Sequence, residues 1–210
     1  GVPHIPPDRW PKPAELRQKR LIGGGHYNQY GGNQTVNTRY LAANPGFISR
    51  YPYDGIVLTA PLTIGGSERS FHEVIWNTWP ITSAMVEPIR KDIQRTRWQH
   101  LTDCFLNISM TDAADGKATP DFTNDADWAV VENNIRMAAR ICRHSNIKGF
   151  WLDTEQYANY ADSNDKFPLG RDSTTILRRR GRQWIEAAQS EKPDIQIIIT
   201  FAWSPDAIEY

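Results

Sequence analysis

Apolar residues fall in short runs along this chain, and several of the runs turn abruptly polar and aromatic at their carboxyl ends. Residues 147–157 show it most sharply. Ile147, Phe150, Trp151 and Leu152 give way to Asp153, Thr154, Glu155, Gln156 and Tyr157. An apolar run of this length predicts a strand buried on both faces, and its polar end predicts the working end. Residues two apart on a strand share a face, so Trp151, Asp153, Glu155 and Tyr157 should point one way. Phe150, Leu152 and Thr154 should point the other.

Four further strands are expected. Residues 20–30 run from Leu21 and Ile22 into three glycines and leave His26, Tyr27 and Asn28 at the strand end. Residues 53–60 form the second, with Asp54 serving the entry turn and Pro61 closing it. Residues 101–110 form the third, with Phe105, Asn107 and Ser109 on one face against Cys104, Leu106, Ile108 and Met110 on the other. Residues 194–206 carry the Ile197-Ile198-Ile199 run and again end aromatic and polar, at Trp203 and Asp206.

Helical patterns lie between the strands. After a Gly65-Gly66 turn, residues 71–99 read as one or two helices interrupted by Pro80 and Pro88, with Trp76, Trp79, Ile81, Met85, Val86, Ile89 and Ile93 as apolar contacts. Asp127 can cap a helix over 128–144, where Trp128, Val131, Ile135, Ala138, Ile141 and Cys142 repeat at helical spacing. A third helix spans 173–190. Its Arg178, Arg179, Arg180 and Arg182 read as a solvated basic face.

Strands that alternate with helices and end in ligand-binding groups imply a parallel α/β sheet with right-handed crossovers. The first choice is a TIM-type (β/α) barrel, with its first five units in residues 14–210 and an extended, proline-rich arm in residues 1–13. The alternative is an open doubly wound sheet. Eight units at this spacing would need about 330 residues, and a fifth strand left bare would be an apolar edge. The chain is therefore expected to be a fragment, or to be completed by a further C-terminal segment or a second polypeptide.

Composition narrows the partners. With 24 basic and 24 acidic residues there is no charge footprint for nucleic acid or an anionic membrane, and no apolar run is long enough to span a bilayer. Eight Trp and eight Tyr provide flat faces with polar edges, suited to cores and to sugar rings alike. Cys104 and Cys142 show no metal spacing, and they read as buried thiols that could bridge if their elements pack together. The acids of residues 111–127 lack calcium-loop spacing, and the triple glycine lacks the Lys-Ser/Thr of a phosphate loop. No metal or cofactor is implied. A chain beginning at Gly1 without Met permits a processed, extracellular or periplasmic product.

Two carboxylates on one strand face can push their pKa values apart, so that one holds a proton while the other stays ionised, as general acid catalysis requires. At residues 148–155 the chain resembles the chitinase-like glycoside hydrolases and related endo-N-acetylglucosaminidases. Their barrel-strand motif reads Asp-Gly-apolar-Asp-apolar-Asp-x-Glu, and Gly149, Phe150, Leu152, Asp153 and Glu155 agree with it. Lys148 and Trp151 replace acidic residues of the motif. Ser109 is similar to the Ser of the family's Ser-x-Gly-Gly pattern, without its glycines.

The resemblance implies Glu155 as general acid and Asp153 as the carboxylate that orients and stabilises an acetamido nucleophile. His26, Asn28, Asn107, Trp151, Tyr157 and Trp203 are the candidate substrate-binding residues. Two other readings keep the barrel: a divalent-metal hydrolase or lyase using His26, Asp153 and Glu155, and a carbohydrate-binding domain without catalysis.

Overall fold

The run at 147–153 becomes an inner strand of a five-stranded parallel sheet. The computed structural model of the protein describes residues 20–24, 36–47, 50, 52–109, 120–154 and 173–200. The sheet strands are β1 (Ile22–Gly23), β2 (Gly55–Leu58), β5 (Cys104–Ser109), β6 (Ile147–Asp153) and β7 (Gln196–Ile199), in the spatial order β1-β2-β5-β6-β7. Every neighbouring pair is parallel.

Each of these strands lies beyond the one before it, so the order never reverses among the described residues. A doubly wound sheet needs such a reversal. This sheet is wound in one direction and curls into half a barrel. Right-handed crossovers in one direction place the connecting helices on one face.

The faces separate by composition. One hydrophobic cluster joins Ile56, Leu58, Cys104, Leu106, Ile108, Phe150 and Leu152 to the helices α3 (Ser83–Arg95), α4 (Asp125–Ile141) and α5 (Ser173–Glu191). Phe150 meets Trp184 of α5 edge-on, with ring centroids 5.7 Å apart. Val57 and Phe105 are buried outside that cluster, on the face turned away from the helices.

One irregularity sets the faces of β6. Cys104 pairs with Ile147 but Phe105 pairs with Gly149, so Lys148 is an extra residue, a β-bulge. Because of it Ile147 and Phe150, three apart, both reach the helix-covered core.

The helices form for local reasons. The α4 stripe of Trp128, Val131, Ile135, Ala138 and Ile141 is buried, and each large apolar side chain so covered contributes ~2 kcal/mol. Its cap is not Asp127. Asn124 Oδ1 accepts from the Ala126 amide at 2.9 Å, while the Asp127 carboxylate turns back to accept the Asp121 amide at 2.9 Å. Helix α3 starts at Thr82, whose hydroxyl accepts the Met85 amide. It keeps Pro88 inside on its exposed side, where water can satisfy the carbonyl that Pro cannot.

Beyond the cap of α4, the structure adds elements that the pattern did not mark and corrects the reading of Arg180. Residues 61–70 form a hairpin, β3 (Pro61–Ile64) with β4 (Ser67–Ser70), closed by Gly65 and Gly66 at φ 56° and 81°. Helix α1 (Thr38–Ala43) is an added short turn, whereas α2 (Phe71–Val74) and α3 are the two helices expected within residues 71–99. Cys104 and Cys142 are buried thiols, as expected, and they are free rather than bridged; burial pushes the Cys104 thiol up to about 12. Arg180 is not part of a solvated face: it is 1% exposed.

That arginine binds across elements. Its Nε donates to the Phe122 carbonyl at 2.8 Å and its Nη2 to Asp125 at 2.7 Å, with the guanidinium 5.1 Å from the Trp128 ring centre. The Arg180 hydrogen bond, backed by the Arg179 charge, holds the Asp125 carboxyl below the usual range.

Asn134, fully buried on α4, fastens the irregular stretch between α2 and α3. Its Oδ1 accepts the Ile81 amide at 2.8 Å, and its Nδ2 donates to the Trp79 carbonyl at 2.9 Å. Buried backbone groups outside regular elements need such partners.

Candidate functional site

The carboxyl ends of β5, β6 and β7 bring polar residues together on the face away from the helices. Register places Asn107 beside Trp151, and Trp151 beside Ile198. One step further Ser109 lies beside Asp153. Asn107 and Ser109 are buried, at 3% and 7% exposed, whereas Trp151 and Asp153 are half-buried and reach solvent. Toward the amino ends of the same strands, Val57 pairs with Phe105 and Phe105 with Gly149, giving the polar row an apolar floor.

Gly149 belongs to this arrangement by necessity. A Cβ there would sit 1.9 Å from the Gln196 carbonyl oxygen, so only glycine lets β7 approach β6 this closely.

Thr200, just past β7, ties the two strand ends. Its amide donates to the Leu152 carbonyl at 3.0 Å. Its hydroxyl lies 3.2 Å from Asp153 Oδ1 and 3.3 Å from the Leu152 oxygen, and accepts the Thr154 amide at 3.4 Å. A hydroxyl has one proton, so it serves the carboxylate or the carbonyl at any moment. The Thr154 hydroxyl closes the link by donating to the Thr200 carbonyl. Asp153 is thereby held at a fixed strand end rather than on a mobile loop.

Of the residues singled out from sequence, the structure brings Asn107, Trp151 and Asp153 onto one face. Glu155, His26, Asn28, Tyr157 and Trp203 lie outside the described residues. Lys148, where the motif has an acid, is at the far end of β6 and donates to the Ser145 carbonyl at 3.0 Å. Among the described residues no three His, Cys, Asp or Glu side chains converge as a metal site, and no helix is long and apolar enough to cross a membrane.

Sequence reasoning missed two features at this edge. Thr200 was read only as part of a strand, although it is the first polar residue after three isoleucines. Ser70 and His72 meet where the hairpin enters α2, with Ser70 Oγ 2.5 Å from His72 Nδ1, and α2 packs against β5. Ser-x-His just before an expected helix was the available signal. Comparison with protein-family models, with curated proteins and with solved structures finds no match.

Proposed function

We propose that the chain is the catalytic part of a glycoside hydrolase acting on a poly- or oligosaccharide. The observation that carries this reading is Asp153: a solvent-reaching carboxylate at the carboxyl end of an inner parallel strand, hydrogen-bonded by Thr200, beside Ser109 and one step beyond the Trp151–Asn107 pair. Ligands of parallel α/β sheets bind at that edge. Glu155, two residues on, would donate a proton to the leaving glycosidic oxygen. Asp153 would orient and stabilise the attacking group, either the sugar's own acetamido oxygen or a water activated by a second carboxylate. Trp151 offers an aromatic face to a sugar ring, with His26, Asn28, Asn107, Tyr157 and Trp203 completing the subsites.

The sheet is read as five strands of a TIM-type barrel, because it is wound in one direction and its outer strand β7 leaves Ile199 48% exposed. Further strands, from more of the same polypeptide or from a second one, would close it. An extracellular or periplasmic setting fits a polysaccharide substrate.

Hydrolysis of aryl glycosides and polysaccharides by the wild type and by Glu155→Gln tests the proposal. Turnover should fall about 100- to 10,000-fold with sugar binding retained. Undiminished turnover in Glu155→Gln would remove the assignment. Sugar binding without turnover in both proteins would favour a carbohydrate-binding barrel, a reading supported by Lys148 and Trp151 standing where the motif has acids.

A further inference from the structure

The helices end at the opposite edge of the sheet from Asp153, since α4 leads directly into the start of β6. There the last turns of α3 and α4 leave a cleft of about 230 Å³. Its polar lining is Arg90, Gln94, Arg140, Arg143 and His144, over a floor of Ile93 and Ile141. Among the described residues no carboxylate lines it.

Each polar side chain of the lining can present a donor. Guanidinium groups cannot accept, and Gln94 can turn its amide N–H inward. His144 Nδ1 accepts the Asn146 amide at 3.3 Å, which leaves the proton of the neutral ring on Nε2, a donor. Burial lowers the His144 pKa and so favours that neutral ring, which lies tilted against Trp98 with centroids 5.3 Å apart.

The cations are fixed in place. Arg140 gives Nε and Nη2 to Glu191, at 3.2 and 2.7 Å, and Nη1 to the Ser83 hydroxyl at 2.8 Å. Arg143 donates Nε to the Glu191 carbonyl at 3.0 Å and pairs with its carboxylate. Arg90 gives Nη1 to Glu87. Glu87 and Glu191 stand outside the lining and do not match all three guanidinium charges.

We propose that this cleft binds a small oxyanion, the phosphoryl or carboxylate group of a low-molecular-weight ligand. Its volume is below that of pockets for drug-sized molecules, and each guanidinium carries five N–H groups, more than its contacts with Glu87, Glu191 and Ser83 use. The site is separate from the glycosidase reading and needs no activity to be tested.

The test titrates inorganic phosphate, and in a second arm acetate, into the wild type in low-salt buffer. Calorimetry is followed together with the His144 ring resonance, assigned by its loss in His144→Gln. Gln94→Glu adds a carboxylate to the lining at an exposed position, and Arg90→Gln removes a cation. Saturable binding that weakens about tenfold or more in each variant is the expected result. Tighter binding of phosphate than acetate assigns a phosphoryl ligand, and the reverse a carboxylate. Absence of saturation, equal affinity in both variants, or the same response to sodium chloride at matched ionic strength would overturn the proposal.

Discussion

The two faces of the sheet spend their polar side chains differently. On the helix side Asn134 and Arg180 are buried, yet each serves main-chain oxygens or amides of a neighbouring irregular stretch: Asn134 those of Trp79 and Ile81, Arg180 that of Phe122. Remove them from the account and the architecture has unsatisfied backbone. On the other face Asn107, Ser109 and Asp153 stand in register at strand ends, where β-ladders already satisfy the backbone. Polarity that fastens irregular backbone and polarity that lines the strand ends thus lie on opposite sides of the sheet, and the second kind is where the proposed function is placed.

Three substitutions break or sharpen that contrast. Gly149→Ala should have the largest effect, because its Cβ meets Gln196 backbone rather than a flexible side chain. A loss of about 3 kcal/mol in urea unfolding is expected, with β7 amides exchanging faster than those of β5. Asn134→Leu comes next, at about 2 kcal/mol, since it strands the Ile81 amide and the Trp79 carbonyl. Asp153→Asn should change stability by less than ~1 kcal/mol, because the amide keeps an oxygen for the Thr200 hydroxyl, while lowering turnover of any glycoside the wild type cleaves. A stability loss from Asp153→Asn as large as that from Asn134→Leu would place the carboxylate with the architecture and erase the distinction.

Much of the frame was readable from periodicity. The apolar runs at 104–109 and 147–153 and the stripe from Trp128 to Ile141 are long enough for their pattern to outweigh local propensity. The cap of α4 was misplaced because Asn124 and Asp127 both have capping chemistry, and the path of the preceding turn decides between them. The hairpin was missed because Ser67, Glu68, Arg69 and Ser70 carry no apolar alternation. Arg180 hid in a run of arginines. Its spacing of four from both Ile176 and Trp184 was the signal that it faces inward. At the candidate site, the side-chain alternation of Trp151 and Asp153 was legible, but the partnership with Thr200 was not, since it depends on how far β7 runs beside β6.

Lys148 is the one residue of β6 that the ladder can spare. Looped out of register, it takes up the position by which Ile147 and Phe150, three apart in sequence, would otherwise fall on opposite faces. A codon lost there would leave an unbroken ladder, Ile147 beside Cys104 and Gly149 beside Phe105, with Trp151 and Asp153 on their present side. A codon lost between Gly149 and Asp153 would instead exchange the wet and dry sides of the strand beyond it.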